Sequence, residues 1–138
     1  MYFADAERFQ DTLGVFLAQV MRDPKVGTQF AATNALVKIV FDDPDTIMWM
    51  DCRVSPPVVT CEPHAHTVEP DLLLTMSADT GHRFWLGKLS LPVALTSRKV
   101  KVKGPSSKLM RLLPALKPVF SQYEQFLLER GRDDLLAV

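Results

Sequence analysis

Apolar residues near the start of the chain recur every three or four positions. Phe9, Leu13, Phe16, Leu17, Val20 and Met21 gather on one stripe with Glu7, Arg8 and Asp11 off it, which predicts an amphipathic helix over residues 4–21. Pro24 ends it, and a short helical or irregular piece over residues 26–32 follows. The period then changes to two. Residues 35–42 set Ala35, Val37, Ile39 and Phe41 against Lys38 and Asp42, predicting a strand. Two more strands are predicted over residues 46–53 and 58–62, separated by the turn-forming Asp43-Pro44-Asp45 and by Pro56-Pro57. Strands this close in sequence pair as antiparallel hairpins. After a loop over residues 63–67, a fourth strand over 71–77 shows Leu72, Leu74 and Met76 on one face.

Ser77 or Asp79 can cap a short helix that runs to about Leu86, with Gly87 at the stop position. Residues 91–96 fit a helical turn or an extended piece equally well. Residues 99–103 read as a strand with Lys99, Lys101 and Lys103 out and Val100 and Val102 in, broken by Gly104-Pro105. The last segment predicts a helix over 107–113, a bend imposed by Pro114 and Pro118, and a longer helix over 117–129 with Val119, Phe120, Tyr123, Phe126 and Leu127 as its stripe. The expected order is helix, four-strand antiparallel meander, helix, strand, helix. That makes an α+β fold in which a five-stranded, mostly antiparallel sheet has helices on one face.

Length and composition narrow the classes. At 138 residues one domain spanning 1–138 is expected, and 47% hydrophobic residues exclude disorder. Sixteen basic residues balance sixteen acidic ones, so nothing draws the whole chain towards nucleic acid, and no nucleic-acid partner is expected. No apolar run reaches the roughly 18–20 residues of a membrane span. The first residues lack a signal-peptide pattern, and DDLLAV matches no retention, peroxisomal or lipid-anchor signal, so the cytoplasm is the expected location. Cys52 and Cys61 flank Ser55-Pro56-Pro57 and could meet across adjacent strands. Two thiols are expected there, with a cross-strand disulfide as the alternative.

Few residues suggest chemistry. His64-Ala65-His66, near Cys61, Glu62 and Glu69, places two imidazoles on one side of an extended segment, but a zinc site needs three or four positioned ligands and this is a proline-bounded loop. His82 reads as a surface or helix residue. Cys61 and His64 have no orienting third group, and Gly81, Gly87 and Gly104 are isolated, which excludes a phosphate-binding loop. No enzyme, metal or cofactor is expected. Arg98, Lys99, Lys101, Lys103, Lys108 and Arg111 form the one basic concentration. It reads as an edge-strand guard or as a transient contact with an anionic membrane surface or a phosphate-bearing lipid.

What remains is a surplus of apolar residues in short elements. Phe84 and Trp85 lie on a helix of only about two turns, and Leu109, Met110, Leu112, Leu113 and Leu116 crowd a proline-broken one. Kinked helices pack less completely and leave room for a ligand. Met76, Met110 and Met48 or Met50 would make an adaptable wall. Asp71-Leu72-Leu73-Leu74-Thr75-Met76-Ser77 before a helix, Leu86-Gly87-Lys88, and Arg98-Lys99-Val100-Lys101-Val102-Lys103-Gly104 before an amphipathic helix resemble the sterol carrier protein two family. Ser97-Arg98 and Pro105 depart from its pattern at the two ends of the lysine strand.

The resemblance implies that the sheet and helices enclose an apolar cavity that binds and carries a sterol, fatty acid, acyl-CoA or similar apolar lipid without chemistry. The lining residues expected on this basis are Trp49, Leu74, Met76, Phe84, Trp85, Leu89, Leu95, Val102, Leu109, Met110, Leu113, Leu116 and Phe120. The alternatives are a non-catalytic accessory subunit that uses the same fold to hold a protein partner, and a small enzyme built on Cys61.

Overall fold

The computed structural model describes residues 1–138. Its first helical rod has three parts: α1 (Ala6–Phe9), a π-helical turn (Gln10–Gly14) and α2 (Val15–Val20). Asp5 caps the start, its carboxylate accepting the Arg8 N–H at 2.9 Å. The predicted stripe is buried throughout. Pro24 does more than end this rod. It opens α3 (Pro24–Ala31), where the Asp23 carboxylate accepts the Lys25 N–H at 3.0 Å. Proline suits a first helical turn because the N–H it lacks would have had no intrahelical partner. Of the two readings of residues 26–32, helical or irregular, the helical one holds, and the helix starts two residues earlier.

Five strands make one sheet: β1 (Leu36–Asp42), β2 (Thr46–Asp51), β3 (Val58–Thr60), β4 (Leu72–Ser77) and β5 (Lys101–Lys103), in the order β3-β2-β1-β4-β5. Three of its pairings are antiparallel, while β1 and β4 run parallel. The four-strand antiparallel meander is thus corrected. β4 does not continue beside β3. The connection over residues 61–71 crosses the outer face of the sheet, where the Trp49 Nε1–H donates to the Pro63 carbonyl at 3.2 Å, and delivers β4 to the far side of β1. Asp71 fixes that placement. Its carboxylate accepts the Leu36 N–H at 2.8 Å, and its own N–H donates to the Leu36 carbonyl at 2.8 Å.

The inner face carries Val37, Ile39 and Phe41 of β1, Met48 and Met50 of β2, and Leu72, Leu74 and Met76 of β4, all buried. α4 (Ala78–Trp85) leaves β4 directly, with the Ser77 hydroxyl accepting the Thr80 N–H at 3.1 Å. Gly87 stops the turn at a φ of +80°, and a side chain there would meet the Phe120 ring at 2.9 Å. Residues 91–96 resolve as a helix, α5 (Leu91–Thr96), capped by Ser90. β5 is shorter than expected, because Lys99 and Val100 precede its pairing with β4.

The final helices break earlier than predicted. α6 (Ser106–Met110) is separated from α7 (Leu113–Glu129) after Met110, and the expected bend between Leu113 and Lys117 is absent. Pro114 falls in the first turn of α7, where it removes no helical bond. Pro118 lies inside the helix and costs one. Burial of Ala115, Leu116, Val119, Tyr123 and Leu127 along one stripe holds α7 continuous across it. A 3₁₀ turn (Asp133–Leu135) closes the chain against α4.

Candidate functional site

Beneath the helices the inner face of the sheet floors an apolar recess. Ile39, Met50, Leu72, Leu74 and Met76 form the floor, Phe84 and Trp85 of α4 one side, and Leu91 of α5, Leu109 of α6, Leu112 of the link to α7 and Leu116 of α7 the roof. α4 presents neighbouring aromatic residues because its other side is committed to the core. The two rings meet edge to face at 5.1 Å, Trp85 stacks at 6.5 Å on Phe30 of α3, and Phe84 stands edge-on to Phe120 at 6.1 Å. Its cavity volume is about 70 Å³, and all the empty space within it, out through the open mouth, comes to about 720 Å³. Fifteen of the seventeen lining residues are hydrophobic, so a polar occupant would give up water contacts without replacement.

The two polar residues of the wall, Thr33 and Lys108, enter it from one end of the sheet, as does the Cys52 thiol. Thr33 lies just before β1, Cys52 just after β2, and Lys108 on α6. The Cys52 N–H donates to the Ala35 carbonyl at 2.9 Å, and the Thr33 hydroxyl donates to the Phe30 carbonyl at 2.6 Å. Burial pushes the Cys52 thiol up to about 11. Burial raises the Cys61 thiol as well. Both cysteines are free and protonated at neutral pH, which makes them poor nucleophiles. His64 and His66 have no third donor placed with them: no group of three His, Cys, Asp or Glu side chains stands where a metal could be held.

Of the expected lining residues, Leu74, Met76, Phe84, Trp85, Leu109 and Leu116 come together on the wall. The other seven do not line it. Trp49 sits on the opposite face of the sheet, directly across from Lys38, whose ammonium lies 5.2 Å from its ring, and it is packed by His66 at 5.0 Å. Met110 and Leu113 point outward, 37% and 36% exposed. Val102 faces inward opposite Leu74 but stays at the sheet edge. Leu89 and Leu95 pack on the core from outside, and Phe120 backs the wall behind Phe84 and Gly87.

Several wall residues were absent from the expected set. Val37, Ile39 and Leu72 have the same face parity as Leu74 and Met76, and become neighbours only once β4 lies beside β1. Phe30 comes from α3 and Thr33 from the turn that follows it, and Lys108 gave no signal apart from its place in the basic cluster.

His82, read as a surface or helix histidine, is fully buried. Its Nε2–H donates to the Leu135 carbonyl at 2.8 Å, since a carbonyl can only accept, and its Nδ1 therefore accepts the Tyr123 hydroxyl at 2.8 Å. Desolvation holds its pKa below the ordinary histidine value.

No family model matches the sequence, and no curated protein sequence matches it. Solved structures do. The sterol carrier protein domain 2 of Helicoverpa armigera superposes with a TM-score of 0.62 over 76% of this chain and 83% of its own, at 16% identity. The chain has the sterol carrier protein 2 fold. It is similar also to the apo sterol carrier protein 2 of Yarrowia lipolytica, with a TM-score of 0.55 over 78% of this chain and 86% of that one, at 19% identity. A third likeness is to UbiJ-SCP2, a ubiquinone synthesis protein, with a TM-score of 0.57 over 79% and 90% of the two chains, at 14% identity. At such identities the likeness is one of fold. In the sterol carrier frame the recess lies between the sheet and the helices, as the resemblance of residues 71–104 implied. No helix is long and apolar enough to cross a membrane.

Proposed function

We propose that this chain binds an apolar lipid in the recess between sheet and helices and carries it as a single domain in the cytoplasm, without chemistry. The observation that supports this reading most is the wall itself, apolar over fifteen of its seventeen residues and roofed by the short helices α5 and α6. Burial of hydrocarbon contributes roughly 25 cal/mol per Å², so a lipid tail needs few polar contacts to bind well. The cavity volume of about 70 Å³ is about half of the ~150 Å³ that admits benzene, so a lipid enters by lifting the roof. α5 and α6 are six and five residues long and are the elements suited to move. Their outward Val93 and Met110, with Lys99, Lys101, Lys103 and Arg111 nearby in sequence, would meet an anionic membrane surface during transfer.

The test is native mass spectrometry of freshly purified protein with organic extraction, followed by titration of an apolar lipid into a Trp49→Phe variant. In that variant Trp85 on the wall is the sole indole. A co-purifying lipid near one per chain, or a saturable change in Trp85 emission, supports the reading. A ligand-free protein with unchanged emission and a stable hetero-complex would instead assign an accessory subunit. Neutralising Lys99, Lys101 and Lys103 together should weaken association with anionic vesicles at low salt, and unchanged association would remove the membrane contact.

A further inference from the structure

We infer that two copies of this chain associate through the outer faces of their sheets, the β5 lysines of each copy meeting the aspartates of the β1–β2 turn in the other. This is independent of the lipid reading. The outer face has a covered part and a bare part. Trp49 points away from the helices yet is only 3% exposed, because the connection over residues 61–71 lies on it through Pro63 and His66. Val40 of β1, Ile47 of β2 and Leu73 of β4 share that face beyond the connection. Each is half-buried although it sits in the body of the sheet, and none packs on the hydrophobic core. Val40 pairs with Ile47 on one side and Thr75 on the other, and Leu73 lies two residues along from Thr75.

Charge borders this patch on two adjoining sides. Along β5, Lys103 stands beside Leu73 and Lys101 beside Thr75. Across the end of the β1–β2 hairpin stand Asp42, Asp43 and Asp45. All five residues are exposed, and none joins the ion pairs of the chain, which link Met1 to Asp79, Arg53 to Asp51 and Arg132 to Asp134. Two strands and two residues separate Asp42 from Lys101, roughly 12 Å at ~4.8 Å between strands and ~3.4 Å per residue. A two-fold axis in the plane of the face, along the diagonal between the acidic and basic sides, exchanges those sides. Asp42 of one copy then meets Lys101 of the other, and Asp45 meets Lys103, each pair made twice as a self-complementary interface requires. The same operation sets Ile47 against Leu73 and keeps Val40 near the axis. It crosses the strands of the two sheets at close to a right angle, one of the two angles at which sheets pack. Sixteen basic residues against sixteen acidic ones leave no net repulsion between copies. The bare patch covers roughly 250 Å², short of the ~800 Å² per partner of a stable interface, so the association is weak and reversible. Paired lysines are withheld from a membrane, so the dimer and a membrane-bound form exclude one another.

The experiment is sedimentation equilibrium of the full chain in low salt, from about 10 μM to about 1 mM, a range that brackets the dissociation constant of so small an interface. The mass should rise from one chain towards two across that range, and about 0.5 M salt should suppress the rise. Lys101→Glu combined with Lys103→Glu should weaken self-association at least tenfold, and so should Asp42→Lys combined with Asp45→Lys. An equal mixture of these two variants should form a dimer again. In it the natural aspartates of one variant meet the natural lysines of the other, and the introduced glutamates meet the introduced lysines. A single-chain mass up to about 1 mM overturns the inference without needing a variant. A dimer that both variants leave intact overturns it too, as does a mixture that stays monomeric. If the natural chain is monomeric and the lysine variant loses only its association with anionic vesicles, Lys101 and Lys103 belong to a membrane contact and the inference likewise falls.

Discussion

Acidification from about pH 7.5 to about pH 4.5 should destabilise this fold through His82, and replacing His82 with phenylalanine should remove that sensitivity. The neutral ring accepts the Tyr123 hydroxyl at Nδ1 and donates from Nε2 to Leu135, with Tyr2, Phe3 and Tyr123 rings around it. A second proton would turn Nδ1 into a donor, forcing the Tyr123 hydroxyl to accept and leaving its own hydrogen without its partner. Desolvation is the largest cause of the lowered pKa. Asp79 attracts the charged form and the Leu135 carbonyl favours it, while Lys88 and Arg132 oppose it. Because the folded pKa lies below the unfolded value near 6.5, the unfolded chain binds more protons between the two. Stability is therefore level above about pH 6.5, falls as pH drops towards the folded pKa, and levels again below it. The slope is at most about 1.4 kcal/mol per pH unit for this one proton.

Urea denaturation at steps of about half a pH unit would show the slope in the natural chain. His82→Phe should be less stable at neutral pH by roughly 2–4 kcal/mol, because the Leu135 carbonyl and Tyr123 hydroxyl lose their partner, yet its curve should be flatter across the same window. His64 and His66 lie in the loop on the far side of the sheet, so substituting them should leave the slope in place. Equal slopes in the natural chain and in His82→Phe would refute the assignment.

Two further outcomes are expected. Gly87→Ala should lower stability by about 2 kcal/mol in thermal melts, because it demands a φ of +80° from an L residue and sets a methyl group 2.9 Å from the Phe120 ring; an unchanged melt would mean the turn relaxes freely. A thiol reagent at about pH 8 should modify Cys61 first and reach Cys52 only on unfolding, because burial holds the Cys52 thiol at about 11; equal rates in the folded protein, read by mass spectrometry, would contradict the closed wall.

Faces were legible in the sequence, and neighbours were not. The alternation in 71–77 placed Leu72, Leu74 and Met76 on the inner face correctly, since a period of two is set by the backbone itself. Alternation says nothing about which strand lies alongside, so the parallel β1–β4 pairing, and with it Val37 and Ile39 on the wall, stayed hidden. Trp49 failed for a related reason. In Thr46–Asp51 both faces are apolar, and only the loop over residues 61–71 shows that the second face is covered too. The roof was harder still. α6 has five residues, barely more than a turn, so periodicity could not tell inward Leu109 from outward Met110. His82 was missed because its partners, Tyr123 and Leu135, lie 41 and 53 residues away.

The parallel pair also sets the order in which the recess can form. The β1–β2 hairpin closes across a few residues, but β4 joins β1 only after the chain has looped back over 35 positions, the separation of Leu36 and Asp71. Loop-closure entropy opposes that step until the pairing is made, and such non-local contacts slow folding. The hairpin would then stand early with Ile39, Phe41, Met48 and Met50 uncovered, and the floor of the recess would be among the last surfaces completed. A newly made chain of this kind is at its stickiest just before the helices close over the floor of the recess.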